Sequence, residues 1–224
     1  MMEEKFNFQC RAVTIVGGAG FSSEDLNICL AKSSTLISAD GGVNSLDENN
    51  YQVDFIIGDL DSLTNKQAWE SRGTKIVEIK EQDSTDFEKC LYSIDAEIYF
   101  CVGFIGGRTD HFLAVCSSLV KYASKRIILV GSDDIVFHLP ERFEIDLPVS
   151  TRLSLFPMQK IVGINSSGLQ WPVSGIEFDP CNCVGTSNQT TAPTVTIRVS
   201  NYGMLILLPR FCLRNVIEAF NHSF

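Results

Sequence analysis

Basic residues, long apolar runs and paired-cysteine motifs are all scarce in this chain of 224 residues, and each shortage excludes something. Lys and Arg number 18 against 27 Asp and Glu, for a formal net charge of −9. Nucleic acid is held chiefly by Lys and Arg on its phosphates, so no nucleic-acid partner is expected. No stretch approaches the roughly 20 apolar residues of a membrane-spanning helix. The opening Met1-Met2-Glu3-Glu4-Lys5 is charged and is followed by no apolar segment of signal-peptide length. Among eight cysteines there is no CxxC. Most sit in apolar runs such as Tyr99-Phe100-Cys101-Val102, where free thiols act as small core residues. Cys181 and Cys183 flank Asn182 without a second pair, which argues against a zinc centre. A reducing, cytoplasmic setting is expected. Internal repeats and low-complexity segments are also absent, as are the Walker GxxxxGK[ST] and the dinucleotide-binding GxGxxG.

What is present is an ordinary globular composition, 45% hydrophobic and 20% charged. The length suits one large domain or two modest ones. Up to about residue 140, short β-branched runs alternate with amphipathic segments. Strands are predicted at Ala12 to Val16, Thr35 to Ala39, Val53 to Ile57, Lys75 to Ile79, Glu97 to Gly103 and Arg126 to Val130. Between them, Ser23 to Ala31 reads as a short helix. Thr85-x-x-Glu88 has capping-box spacing ahead of Phe87, Leu91 and Ile94. Asp110 to Ala123 places Leu113, Cys116, Leu119, Val120 and Ala123 on one helical face. Strands separated by helix-length segments imply an α/β fold with a mainly parallel sheet and flanking helices. After about Leu139 the texture changes. Glu144 to Leu147, Thr151 to Phe156, Thr194 to Val199 and Met204 to Leu208 read as strands of a small all-β, sandwich-like domain. Pro140 to Pro148 forms the expected junction, and a helix is expected only in the last dozen residues.

The carboxylates fall at strand ends. Asp40 ends the second strand, Asp59 and Asp61 follow the third, Asp83 and Asp86 the fourth, and Arg108 and Asp110 the fifth. In an open parallel sheet those ends share one edge, where ligands bind. Any one aspartate alone is read more simply as a turn or cap residue. Several at successive strand ends are not. Two carboxylates about 5 Å apart repel by roughly 3 kcal/mol at an effective dielectric near 20, so the cluster calls for a cation. Magnesium suits it, since it prefers hard oxygen ligands shared between carboxylates and phosphates. Asp59 and Asp61, two residues apart, are placed to share one ion. Gly106-Gly107 between a strand and a helix offers backbone N–H groups to a phosphate, and Arg108 adds a planar fork. Gly17-Gly18-Ala19-Gly20 after the first strand is a second candidate phosphate contact. His111, at a helix start, reads more simply as a capping or core residue than as a general base.

Taken in order, these segments resemble the thiamine pyrophosphokinase family. The match runs through Ala39-Asp40-Gly41-Gly42, Ile57-Gly58-Asp59-Leu60-Asp61-Ser62, Asp83-Ser84-Thr85-Asp86-Phe87-Glu88-Lys89-Cys90-Leu91 and Gly106-Gly107-Arg108-Thr109-Asp110-His111. It continues through Ser154-Leu155-Phe156-Pro157, Ser167-Gly168-Leu169-Gln170-Trp171 and Gly185-Thr186-Ser187-Asn188. The resemblance implies transfer of pyrophosphate from ATP to the hydroxyethyl group of thiamine, releasing AMP. It implies an α/β domain over residues 1–140 binding ATP and magnesium, then a β-sandwich over residues 141–224 serving thiamine binding and dimerisation. A homodimer with sites shared between subunits follows from the same resemblance. By motif, Asp59, Asp61 and Asp86 are the implied metal ligands, with Asp40 beside them. Together with Arg108 they form the implied catalytic set. Gln82, Thr85, Lys89 and Arg108 hold phosphates, Asp110 supports the arginine loop, and Trp171 and Ser187 face thiamine. Without the resemblance, Trp171 reads as a β-domain core residue. Gly17 to Phe21 departs from the Asn-Gly-x-x-Pro form of many members, and Ile176 to Cys183 has no assigned counterpart. The same crevice would also serve a metal-dependent phosphohydrolase or nucleotidyltransferase, or a non-catalytic thiamine sensor.

Overall fold

In the computed structural model the described residues are 6–46 and 50–222, so the charged Met1–Lys5 segment lies outside them. The trace divides into two compact units, Met1–Ser118 with Ile127–Ser132 and Leu119–Arg126 with Asp133–Phe224. The division after the sixth strand comes at Asp133, ahead of the boundary expected after residue 140.

The first unit is α/β. Its strands are β1 (Phe8–Val16), β2 (Thr35–Ala39), β3 (Phe55–Gly58), β4 (Lys75–Glu78), β5 (Ile94–Val102) and β6 (Ile127–Val130). They pair parallel in the order β6-β5-β1-β2-β3-β4. β1 is central, which explains why its last five residues are all buried: Val13, Thr14, Ile15 and Val16 are fully buried. Each apolar side chain among them contributes about 1.5–3 kcal/mol by leaving water. The helices are α1 (Ser23–Leu30), α2 (Lys66–Ser71), α3 (Asp86–Ser93) and α4 (Thr109–Lys121). Ser22 and Asp25 cap α1 reciprocally, and Thr85 and Glu88 do the same for α3.

Two details depart from the sequence pattern. Ile94 opens β5 instead of closing α3, because α3 ends at Ser93. Leu113, expected on the buried stripe of α4, is 60% exposed. The buried face belongs to Val115, Cys116, Ser118 and Leu119. At about 100° per residue, Leu113 points roughly 200° from Val115.

The second unit, beyond the end of α4 that it shares, is all-β from Asp133 up to a short 3-10 turn and its last helix. Its strands are β7 (Asp134–His138), β8 (Arg142–Asp146), β9 (Arg152–Pro157), β10 (Ile161–Ser167), β11 (Glu177–Phe178), β12 (Gly185–Gln189), β13 (Thr194–Val199) and β14 (Met204–Pro209), followed by α5 (Leu213–His222). One antiparallel sheet has the order β12-β9-β14-β7 and the other β11-β10-β13-β8. Phe137 of the first sheet lies 5.6 Å from Phe143 of the second and 5.3 Å from Phe220 of α5, both edge-on. That aromatic trio is the point at which both sheets and the helix share a core.

Candidate active site

The parallel sheet brings the loops after β1, β2, β3, β4 and β5 to one edge. They enclose a cavity of about 540 Å³ whose lining includes Gly17, Asp40, Asp59, Gln82, Lys89 and Arg108. β1 is flanked by β2 on one side and β5 on the other, so the crevice opens where the strand order reverses. Gly17 and Gly103 make that reversal possible. A Cβ on either would stand 2.5 Å from the other's carbonyl oxygen.

Asp40, Asp59 and Asp61 each bring a carboxylate oxygen within 4.8 Å of the others. Local backbone geometry creates the cluster. Asp40 has φ 41° and Leu60 has φ 67°, and both left-handed turns re-aim the chain at a strand end. Gly58 leaves the room: a Cβ there would lie 2.6 Å from the Asp40 Cβ and 3.1 Å from the Asp86 Oδ1. Asp40 is 5% exposed. Its Oδ2 accepts from the Ser62 N–H at 3.3 Å, while its Oδ1 is buried without a hydrogen-bond partner. Burial therefore raises its pKa, opposed by hydrogen bonds from Gly41 and Ser62. Asp59 is held ionised, its pKa lowered by the Gln82 amide donating at 2.9 Å, and further by the Asp61 N–H and Lys89. Asp61 accepts from the Ser62 hydroxyl at 2.8 Å.

Asp86 lies beside that trio and is paired with a lysine. The Lys89 ammonium, 1% exposed, lies 3.0 Å from Asp86 Oδ1 and 3.7 Å from Asp59 Oδ2. Burial acts to lower the Lys89 pKa, but Asp86, Asp59 and Glu81 outweigh it and hold the ammonium charged. Thr85 lines the cavity and uses its hydroxyl oxygen to cap α3. Arg108 and Asp110 form a two-point pair, Nε–Oδ1 at 3.1 Å and Nη2–Oδ2 at 2.6 Å. The arginine drives the Asp110 pKa down to about 2. Both are exposed, and Gly106 and Gly107 precede them at φ 88° and 64°. His111 is exposed on the cavity wall rather than in the core.

Three positioning residues escape sequence reasoning. Glu81 accepts from the Asp83 N–H at 2.7 Å, the Ser84 N–H at 3.1 Å, the Tyr92 hydroxyl at 3.0 Å and the Ser84 hydroxyl. Those bonds, that of the Ser84 hydroxyl foremost, lower its pKa to about 2 and shape the loop that carries Gln82. Asn44 donates to the Ser62 carbonyl at 2.7 Å and accepts from Thr64. Ser62 ties that loop to Asp40. Only the three-residue spacing of Glu81 and Ser84 hinted at a side-chain-capped turn.

Trp171 and Ser187 lie in the second unit. Trp171 is 55% exposed, so the core reading of this residue fails. Ser187 sits in the bulge of β12 at φ 62°, its N–H donating to the Ser154 hydroxyl at 3.0 Å. Asn188 joins the two segments through the Trp171 backbone.

The sequence itself supplies the deciding comparison. Residues 26–130 match the thiamin pyrophosphokinase catalytic domain, and residues 139–203 match the thiamin pyrophosphokinase vitamin B1 binding domain. The chain belongs to the thiamin pyrophosphokinase family. Its reaction is that of the family, the ATP-dependent pyrophosphorylation of thiamine, and the hydrolase and sensor alternatives find no support. Thiamin pyrophosphokinase 1 of Caenorhabditis elegans is 26% identical over 189 residues, spanning 76% of this chain and 77% of that protein. Thiamine pyrophosphokinase 1 of Arabidopsis thaliana is 28% identical over 194 residues, spanning 72% and 73%. In fold, the chain is similar to thiamin pyrophosphokinase from Candida albicans, with a TM-score of 0.77 at 19% identity over 93% of this chain and 95% of that one. No helix among the described residues is long and apolar enough to cross a membrane.

Proposed function

We propose that this enzyme works with magnesium held by Asp40, Asp59 and Asp61, with Asp86 beside them, in the crevice at the strand ends. The proposal is carried by three carboxylates, Asp40, Asp59 and Asp61, with oxygens within 4.8 Å of one another, and by a buried Asp40 whose Oδ1 has no hydrogen-bond partner. Leaving a buried carboxylate oxygen without a partner is costly, and a hard divalent cation satisfies it. All the donors are carboxylate oxygens, which suits magnesium better than a softer metal. A bound magnesium ion would neutralise charge developing on the transferred phosphates.

The remaining work falls to side chains. Lys89 and Gln82 stand beside Asp59 and are placed to hold phosphate oxygens, and the Thr85 hydroxyl retains a hydrogen to donate. Arg108 presents a fork oriented by Asp110, and the Gly106-Gly107 backbone leads into α4. Phosphoryl transfer leaves a protein chiefly positioning and charge neutralisation to perform, and these groups supply both. Thiamine is cationic, so an exposed indole at Trp171 offers it a π face worth about 0.5–2 kcal/mol. Ser187 adds a hydroxyl on the residue next to Asn188, which bonds the Trp171 backbone. We further take the enzyme to be a cytoplasmic homodimer in which Trp171 and Ser187 of one copy serve the carboxylates of the other, as the family resemblance implies.

Incubation of the purified chain with ATP, thiamine and magnesium tests the reading. Thiamine diphosphate and AMP should form together, and only when all three are present. AMP released at the same rate without thiamine would replace the transferase reading with a hydrolase, and full activity with EDTA would remove the metal.

A further inference from the structure

Trp171 poses a physical question: how an indole so exposed is kept in one place. The answer lies in a strand-like segment that ends on a side chain. Residues 168–170 run antiparallel to residues 189–191, with Thr191 N–H donating to the Gly168 carbonyl at 2.8 Å and Gln170 N–H to the Gln189 carbonyl at 2.8 Å. Leu169 and Thr190 form the bridge between those bonds. Backbone pairing stops there. At Trp171 the partner is the Asn188 side chain: its Oδ1 accepts from the Trp171 N–H at 3.1 Å, and its Nδ2 donates to the Trp171 carbonyl at 2.7 Å. The same Oδ1 accepts from the Gln189 N–H at 2.8 Å. Asn188 is 7% exposed, so these bonds are shielded from water.

A carboxamide stands here in place of a peptide group, which requires a donor and an acceptor on one planar head. Ser187, the residue immediately before it, has its backbone turned left-handed and fixed on Ser154. The Asn188 side chain therefore fixes the Trp171 backbone relative to the Ser187 backbone, from which the indole and the hydroxyl project. We propose that Asn188 is a positioning residue for thiamine, fixing Trp171 relative to Ser187 so that the two receive one ligand together. This rests on the reading that Trp171 faces thiamine. The Asn188 amide oxygen and one of its two amide hydrogens are committed to backbone, which suits a positioning role.

Four full-length variants test it. N188D keeps the size and the acceptor but loses the donor to the Trp171 carbonyl; N188A loses both. W171A tests the underlying reading. T190V is the structural control, since the buried Thr190 hydroxyl accepts from the Thr151 N–H at 2.9 Å and donates to the Pro148 carbonyl at 2.7 Å without touching Trp171. N188D should raise the thiamine KM about 5- to 20-fold and N188A more, with kcat and the ATP KM changed less than about twofold. Acrylamide quenching of tryptophan fluorescence should rise in both, because the other tryptophan, Trp69, is buried. T190V should lower the melting temperature while leaving the thiamine KM unchanged. If W171A leaves the thiamine KM unchanged, the reading of Trp171 fails, whatever Asn188 does. If W171A raises it while N188D matches the wild type, or if T190V raises it as much as N188D, the positioning role of Asn188 is overturned. Should N188A fail to fold, N188D alone decides.

Discussion

The Lys89 ammonium reaches Asp86 Oδ1 at 3.0 Å while itself being almost wholly buried. In the protein alone it is the cation of the carboxylate cluster, since Asp59 also lies within 3.7 Å. Removing one partner of such a pair leaves charge without compensation. Asp86 is one-third exposed, which tempers the loss. Lys89→Met should destabilise the metal-free enzyme by about 1–3 kcal/mol, or roughly 2–10 °C in melting temperature. Magnesium should restore more stability to the variant than it adds to the wild type. Equal melting curves for the two metal-free proteins would count against the counter-ion role.

Asp59→Asn and Asp61→Asn should each abolish turnover with the fold intact. Both substitutions keep the side-chain shape and remove one negative charge from a cluster within 4.8 Å. Melting of metal-free Asp61→Asn should stay level or rise, because repulsion in the cluster falls, whereas Asp59→Asn should melt somewhat lower, because buried Lys89 and the Gln82 amide lose a charged partner. Isothermal titration with magnesium should show weakened binding in both. Near-normal magnesium-dependent activity would sink the ligand assignment.

The proposed sharing of sites between copies predicts complementation. Trp171→Ala should weaken thiamine binding by about 1–3 kcal/mol through lost stacking and buried area, with ATP binding little changed. Mixed with Asp59→Asn chains, it should recover activity, since one site of each heterodimer keeps both residues. A monomer at working concentration, or no recovery despite proven subunit exchange, speaks for sites formed within one chain.

His138 gives the second unit a pH dependence of its own. It is 8% exposed, its Nε2 accepts from the Gly203 N–H at 2.9 Å, and burial lowers its pKa to about 4. An unfolded histidine titrates near 6.5, so between these values the unfolded chain binds more protons. The contribution is fully present above pH 6.5 and is lost as pH falls from there toward 4, reaching about 3 kcal/mol. Urea midpoints at about pH 7.5 and pH 5 should differ in the wild type, and the difference should shrink in His138→Gln. An unchanged difference in that variant would move the effect to other groups.

Much of the site could be read from the chain alone, and the reason is periodicity. The runs Ala12 to Val16 and Thr35 to Ala39 announce buried strands because strands covered on both faces are largely apolar and free of charge. Once such strands are parallel, chain direction alone sends Asp40, Asp59 and Arg108 to one edge. The capping box at Thr85 and Glu88 was equally local, and so equally visible. Short α2, polar β12 and the bulged β10 gave no such rhythm.

Tertiary structure decided which side chains meet. Sequence spacing could not show which carboxylate oxygens converge, because that depends on left-handed turns at Asp40 and Leu60 and on the space beside Gly58. Nor could it show that Lys89 is buried between two aspartates, since a lysine in an amphipathic helix reads as solvated. Leu113 and Trp171 invert the hydropathy rule, an apolar residue outside where the pattern wanted core. Asn188 shows the same limit from the polar side. Its neighbour in space is 17 residues distant in sequence, and only the antiparallel approach of residues 168–170 brings its amide to the Trp171 backbone. Periodicity reports which face of an element leaves water; the backbone turns and strand register decide what each side chain touches.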